Sequence, residues 1–84
     1  MTIKQKKALA DAFLLNKNQQ EMLDFLEGIL TPKEIESLSM RLQVVEMLKA
    51  GLPQRQIADK LGVGIATVTR GSSELKKGRF KKIK

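Results

Sequence analysis

Residues 54–77 read QRQIADKLGVGIATVTRGSSELKK, and this stretch decides the fold. The first eight residues predict one short helix, and Gly62 permits the left-handed backbone of a sharp turn after it. A second helix is predicted from Ile65 to about residue 77. Ala58 is small at the point where the second helix must cross the first closely. This pattern predicts a helix-turn-helix, a motif whose second helix enters the major groove of DNA with its N-terminal residues foremost.

The two sides of the second helix differ in composition. At about 100° per residue, one side is predicted to face the core and the opposite side to face outward. The outward side is small near its start and cationic further along, which lets a helix approach base edges and pair with phosphate or guanine. The core side holds Ile65, Val68, Ser72 and Leu75, and the outer side holds Ala66, Arg70, Ser73 and Lys77, flanked by Thr67 and Thr69.

Positive charge is concentrated in the same half of the chain. The 84 residues carry 16 Lys and Arg against 9 Asp and Glu, a formal net charge of +7. Residues 1–50 sum to zero, so the whole excess lies in residues 51–84, as in a polyanion-binding segment. The alternative is a helical interaction domain whose charge only keeps it soluble, with a frayed basic tail over residues 79–84.

Composition excludes several classes of protein. The chain has no Cys, His, Trp or Tyr, which removes disulfides, thiolate zinc sites and the usual Ser-His-Asp and Cys-His catalytic groups. No apolar run approaches the ~20 residues of a membrane span, and no signal-peptide pattern is present. We expect a single-domain, cytosolic binding protein that is not an enzyme, needs no cofactor or metal for chemistry, and has no membrane partner.

The upstream sequence predicts three further helices. The first runs from about residue 3 to residue 15, and Asn18 with Glu21 predicts the capped start of the second. Thr31, Pro32 and Glu34 form the best helix start in the chain. Apolar stripes follow each start: Met22, Phe25, Leu26 and Ile29 in the second helix, then Ile35, Leu38, Leu42 and Val45 in the third, with Leu48 close by and Gly51 ending it.

These elements divide one all-α domain over residues 1–84 into four parts. They are N-terminal dimerisation helices (1–30), a central helix (31–51), the helix-turn-helix (52–78) and a basic tail (79–84). The first two helices are too apolar for the outside of a monomer, so we expect a homodimer. Five apolar side chains are expected in ordinary core positions: Phe13, Met22, Phe25, Met40 and Met47.

Residues 30–77 resemble the tryptophan repressor family. The specific match is the run from Gly64 to Ser72, Gly-Ile-Ala-Thr-Val-Thr-Arg-Gly-Ser. Leu30-Thr31-Pro32 with Glu34, then Arg41, Gln54-Arg55 and Leu75-Lys76 also match. The resemblance implies an intertwined homodimer that represses transcription by placing two helices in successive major grooves of an operator, with L-tryptophan as corepressor.

The resemblance also implies roles for individual residues. Arg41 and Arg70 sandwich an indole ring, and Arg70 also holds the ligand carboxylate, which suits guanidinium chemistry. Carbonyls near Leu30 and Thr31 of the partner chain take the amino group. The DNA contacts fall to Gln54 and Arg55 before the turn, and to Ile65, Ala66, Thr67, Thr69 and Arg70 after it. Without the family, Arg41 is interpreted as a surface ion pair with Glu34 or Glu46.

Three positions depart from the family pattern. Glu74 stands where the family usually has a serine beside the ligand; it is expected to repel a ligand carboxylate or to pair with Arg70. The loop from Gly51 to Gln54 is one residue shorter. The family has a final helix where this sequence has only residues 79–84. These residues form a basic tail that is able to contact phosphates.

Other functions stay open on the sequence alone. One is a DNA-binding protein that needs no small molecule, which Glu74 favours. Another is the DNA-targeting piece of a larger assembly, such as a transposase or an initiation factor. A third is a pure protein-interaction domain, in which Thr67 and Thr69 have no role.

Overall fold

The computed structural model describes all 84 residues as five α-helices joined by short turns, with no strand. The predicted all-α class is confirmed. No helix combines the length and the apolar character that a membrane span requires. The chain forms two compact units, Met1–Ile35 and Glu36–Lys84, so their division falls inside the third helix. The helices are α1 (Ile3–Leu14), α2 (Gln19–Ile29), α3 (Pro32–Lys49), α4 (Gln54–Leu61) and α5 (Ile65–Lys76).

Side-chain caps fix the starts of the first two helices. The Thr2 hydroxyl accepts from the Gln5 amide, and the Gln5 side-chain oxygen accepts in turn from the Thr2 amide. Asn18 caps α2 as predicted, accepting from the Glu21 amide at 2.9 Å. The Glu21 carboxylate, however, accepts from the amide of Lys17 rather than of Asn18. In a standard capping box the Glu21 carboxylate would accept from the amide of Asn18 itself, and here it accepts from the amide one residue earlier.

The N-terminal unit is held together by partly buried side chains. The rings of Phe13 and Phe25 lie edge to face, with centroids 5.1 Å apart and planes at 78°, which is a favourable aromatic geometry. Neither α1 nor α2 contains a fully buried residue. Met22 of this unit is also half-buried, as are Met40 and Met47 of the C-terminal unit. All five side chains expected in the core are thus only partly covered within one chain.

Local signals determine both ends of α3. The Thr31 hydroxyl accepts from the Glu34 amide, and the Glu34 carboxylate accepts from the Thr31 amide at 2.8 Å, so the predicted helix start is confirmed and is a reciprocal capping box. At the other end Gly51 has φ +89°, and the amide of Leu52 donates to the carbonyl of Met47. This is a glycine-terminated Schellman ending, as the sequence predicts.

The fully buried core lies in the C-terminal unit. It joins Val44 of α3, Ile57 and Ala58 of α4, and Val68 of α5. The predicted stripe of α3 is only partly correct: Val45 is buried, but Leu38 and Leu42 are each 44% exposed. Val44, which is 1% exposed, was not predicted to be buried, because it lies one position away from that stripe.

Two glycines shape the helix-turn-helix, one in its turn and one where α5 packs on α3. Gly62 has φ +65° and ends α4 in the left-handed conformation predicted for the turn. A Cβ on Gly71 of α5 would lie 3.1 Å from the Val44 Cγ1 atom. The absence of a side chain at Gly71 therefore lets α5 pack closely against α3, which positions the outward face of α5.

Candidate nucleic-acid interface and adjoining cleft

The first turns of α5 present a mainly exposed surface of small and cationic side chains. Ala66, Thr69 and Arg70 are exposed, Thr67 is half-buried, and Val68 between them is fully buried. The helical-wheel expectation that Ile65 faces the core is wrong, since its side chain is 48% exposed. Its exposure agrees instead with the DNA-contacting role that the family resemblance implies for this position.

A hydrogen bond connects α4 and α5 at this surface. The Thr69 hydroxyl donates to the Gln54 side-chain oxygen at 3.0 Å. Gln54 is half-buried at the start of α4, and its neighbour Arg55 is exposed. Because Gln54 accepts through its oxygen, its amide group keeps both N–H donors for other acceptors. Candidate DNA-contacting residues from both helices are thus fixed relative to one another.

A cleft of about 350 Å³ adjoins this surface in the C-terminal unit. It brings together three of the residues assigned to the ligand, Arg41, Arg70 and Glu74. Its volume lies in the range of small-molecule sites, which are mostly apolar with a few polar groups. The remaining lining residues are Leu38, Leu42, Val45, Gly71, Phe80 and Ile83.

The two arginines of the cleft are not committed to protein carboxylates. Neither Arg41 nor Arg70 forms a salt bridge. The ion pair of Arg41 with Glu34 or Glu46, which was the alternative interpretation of Arg41, is therefore absent. A guanidinium without a carboxylate partner can stack on an aromatic ring or bind an anion. No group of three or more acidic side chains that could hold a metal ion occurs in the chain.

Glu74 pairs with residues that follow it in sequence. Its carboxylate oxygens lie 3.4 Å from Lys77 Nζ and 3.3 Å from Arg79 Nε. The hydrogen bond from Lys77 is the main cause that lowers the pKa of Glu74 below its ordinary value of 4.5, with a further contribution from Arg79. The expected pairing of Glu74 with Arg70 is therefore wrong, because Lys77 lies three residues further along, at the C-cap of α5, and the chain reversal at Gly78 brings Arg79 to the same carboxylate.

The basic tail takes a defined course and contributes residues that the sequence analysis did not assign. Gly78 has φ +82° and reverses the chain, and the amide of Arg79 donates to the carbonyl of Glu74. Phe80 and Ile83 are half-buried and line the cleft. These two are the only apolar residues in the tail, and their spacing of three residues in a cationic run is the signal that could have identified them.

Leu30 and Thr31 belong to the N-terminal unit. Leu30 lines a cleft of about 430 Å³ together with Glu27, Pro32 and Ile35. The Thr31 carbonyl accepts from the Ile35 amide at 3.0 Å. The resemblance assigns to the carbonyls of these two residues a contact with the ligand amino group across a dimer, from the partner chain. This contact stays a prediction.

Comparison with known proteins identifies the family of this chain. The model of the family described as Trp repressor protein matches residues 4–82. A Trp operon repressor homolog of Vibrio campbellii is 54% identical over 63 residues, which cover 74% of this chain and 61% of the relative. The homolog of Vibrio cholerae is 52% identical over 63 residues, covering 74% and 59%.

A third relative extends the match slightly. The Trp operon repressor homolog of Aliivibrio salmonicida is 46% identical over 69 residues, covering 81% of this chain and 60% of the relative. The chain spans about three fifths of the length of these curated relatives. Since the family model covers nearly all of the chain, this protein belongs to the Trp repressor family.

Proposed function

We propose that this chain is a sequence-specific DNA-binding protein that represses transcription. The observation that carries the proposal is the exposure of Ala66, Thr69 and Arg70 at the start of a helix whose Val68 is fully buried. Such a helix presents short side chains at the position that enters a major groove. The names of its relatives, Trp operon repressor homologs, support the regulatory role.

Fluorescence anisotropy on a library of palindromic duplexes tests DNA binding directly. Thr69→Ala is expected to weaken binding to the preferred duplex by about 5- to 150-fold, the range for loss of a base contact. Ser37→Ala, an exposed change in α3, is the control and should bind as the unmodified protein does. Binding that is absent on every duplex, or that ignores salt, would contradict the proposal.

We further propose that the protein acts as a homodimer through its N-terminal unit. Leu14 and Leu15 are 80% and 76% exposed in the single chain, and Leu23 and Ile29 are about half exposed. Apolar surface of this kind is favourably covered by a second copy. In sedimentation equilibrium, Leu14→Lys with Leu15→Lys should weaken dimerisation at least about tenfold, since each leucine is worth about 1.5–3 kcal/mol when buried. Lys6→Ala is the exposed control, and an unmodified protein that is monomeric throughout would refute the dimer.

L-Tryptophan is the corepressor that we propose for the cleft beside Arg41 and Arg70. Two guanidinium groups without carboxylate partners, set among apolar walls, suit an aromatic ring that carries a carboxylate. Calorimetry should show binding that Arg41→Ala and Arg70→Ala each abolish. Lys60→Ala, an exposed change in α4, should leave the heat unchanged. No heat at millimolar tryptophan would exclude it as the effector.

A second candidate function is DNA binding without any small molecule. It is favoured by Glu74, whose ionised carboxylate lines the cleft where a ligand carboxylate would bind. Equal duplex affinity with and without tryptophan would select this alternative.

A further inference from the structure

The basic tail, residues 79–84, is fastened to the C-terminal unit at several points. The Arg79 side chain binds Glu74 of α5, and the Lys49 ammonium group of α3 donates to the carbonyl of Ile83. Phe80 and Ile83 turn inward to line the cleft. The tail is therefore a structured segment that bridges the ends of two helices, although its composition alone predicts a frayed end.

The three lysines of the tail face solvent. Lys81, Lys82 and Lys84 are exposed, and none of them forms a salt bridge. The stem of Lys81 crosses Gly78, with its Cε 3.0 Å from the place where a glycine Cβ would stand. Exposed ammonium groups without carboxylate partners are available to bind the phosphates of a polyanion. The arrangement therefore has the chemistry of a phosphate-binding surface.

The position of the tail relates this surface to α5. Phe80 and Ile83 line the same cleft as Arg70, which belongs to the candidate DNA-contacting turns of α5. Lys77, at the C-cap of α5, is also exposed and continues the outward cationic side of that helix toward the tail. The tail that carries these lysines consequently lies beside α5.

We propose that the basic tail contacts the phosphates of the same duplex that α5 reads, through Lys81, Lys82 and Lys84. This inference rests on the proposed DNA-binding function and extends its interface beyond the helix-turn-helix. Duplex DNA is favoured over an anionic membrane because the tail adjoins α5, whose exposed first turns combine the short side chains of Ala66 and Thr69 with Arg70. Phosphate contacts add affinity without sequence preference.

The salt dependence of duplex binding tests the proposal. Each phosphate contact contributes about 0.9 to the slope of log K against log salt. Replacing Lys81, Lys82 and Lys84 by Gln should therefore reduce the slope by about 1 to 3 per bound chain on a labelled mixed-sequence duplex. Replacing Lys4, Lys6 and Lys7 of α1 by Gln removes the same charge elsewhere and is the matched control.

The outcomes separate this inference from the proposed function. A smaller slope in the tail variant, with a smaller or no change in the control, supports the tail contact. An unchanged slope in the tail variant, or an equal fall in both variants, would overturn it while leaving DNA binding intact. Loss of binding to phosphatidylserine vesicles together with an unchanged duplex slope would overturn it as well. Failure of the unmodified protein to bind any duplex is the separate failure of the proposed function.

Discussion

The two compact units of this chain stabilise themselves in different ways. In Glu36–Lys84, four buried side chains from three helices meet in one cluster. In Met1–Ile35, well-capped helices contain no fully buried residue, and large apolar side chains such as Leu14 are mainly exposed. Burial of apolar surface is the dominant stabilising contribution to a fold, whereas caps contribute about 1 kcal/mol each. Helix formation and core formation therefore depend on different residues in this sequence. The N-terminal unit has capped helices without a buried core, whereas the C-terminal unit has both helices and a core.

The largest expected effect is the truncation of a core side chain in the C-terminal unit. Ile57 is 0% exposed, so Ile57→Ala should lower the free energy of unfolding by about 2–5 kcal/mol. Urea denaturation measures the change. Ile65→Ala makes the same truncation at a side chain that is 48% exposed, and it should cost well under half as much. Equal losses in the two variants would mean that the unit has no distinct core.

Two glycine substitutions compare helix packing in the two units. A Cβ added at Gly28 of α2 would have nothing within 4 Å of it, so Gly28→Ala should stabilise the protein by about 0.5–1 kcal/mol through helix propensity. At Gly71 the same methyl group would lie 3.1 Å from Val44 Cγ1, and crowding should cancel that gain. Thermal unfolding of both variants at low protein concentration gives the comparison. A larger gain at Gly71 would contradict the close packing of α5 on α3.

Removing the hydrogen bond between α4 and α5 should have a smaller effect. Thr69→Val replaces the hydroxyl that donates to Gln54 with a methyl group of similar shape. Because the bond is exposed, the loss of stability should be at most about 1 kcal/mol. Urea denaturation is the measurement, and Thr2→Val, which removes the α1 cap, is a comparison in the other unit. A loss above about 2 kcal/mol would show that this bond has a larger structural role than a typical exposed hydrogen bond.

The smallest effect concerns acid stability. The pKa of Glu74 is lowered in the folded protein, chiefly by the Lys77 hydrogen bond. The contribution of ionised Glu74 to folding stability is therefore present above the ordinary pKa of 4.5. It is lost as the pH falls through the lower pKa that Glu74 has in the folded protein. Glu74→Gln should flatten the fall of the melting temperature across that acid range. The exposed Glu36→Gln serves as control, and identical pH profiles for Glu74→Gln and the unmodified protein would contradict the pairing.

Much of the helical framework was predictable because its signals are local. Thr31 with Glu34, Gly51 and Gly62 act on backbone groups within a few residues, so their effects follow directly from the sequence. The candidate DNA-contacting and ligand residues came from the run at 64–72 and its resemblance, and Arg41, Arg70 and Glu74 do line one cleft. The buried position of Val44 and the exposure of Ile65 were not predictable, because periodicity places a side chain on a face without saying what covers that face.

The sequence by itself determined where the helices begin and end, that charge is concentrated after residue 50, and which run of residues carries the family resemblance. The tertiary structure alone decided that Glu74 pairs with Arg79, and that Phe80 and Ile83 complete the cleft. The physical reason is range: caps and turns depend on neighbours along the chain, whereas these contacts depend on how the chain after Gly78 reverses and where α3 and α5 come together.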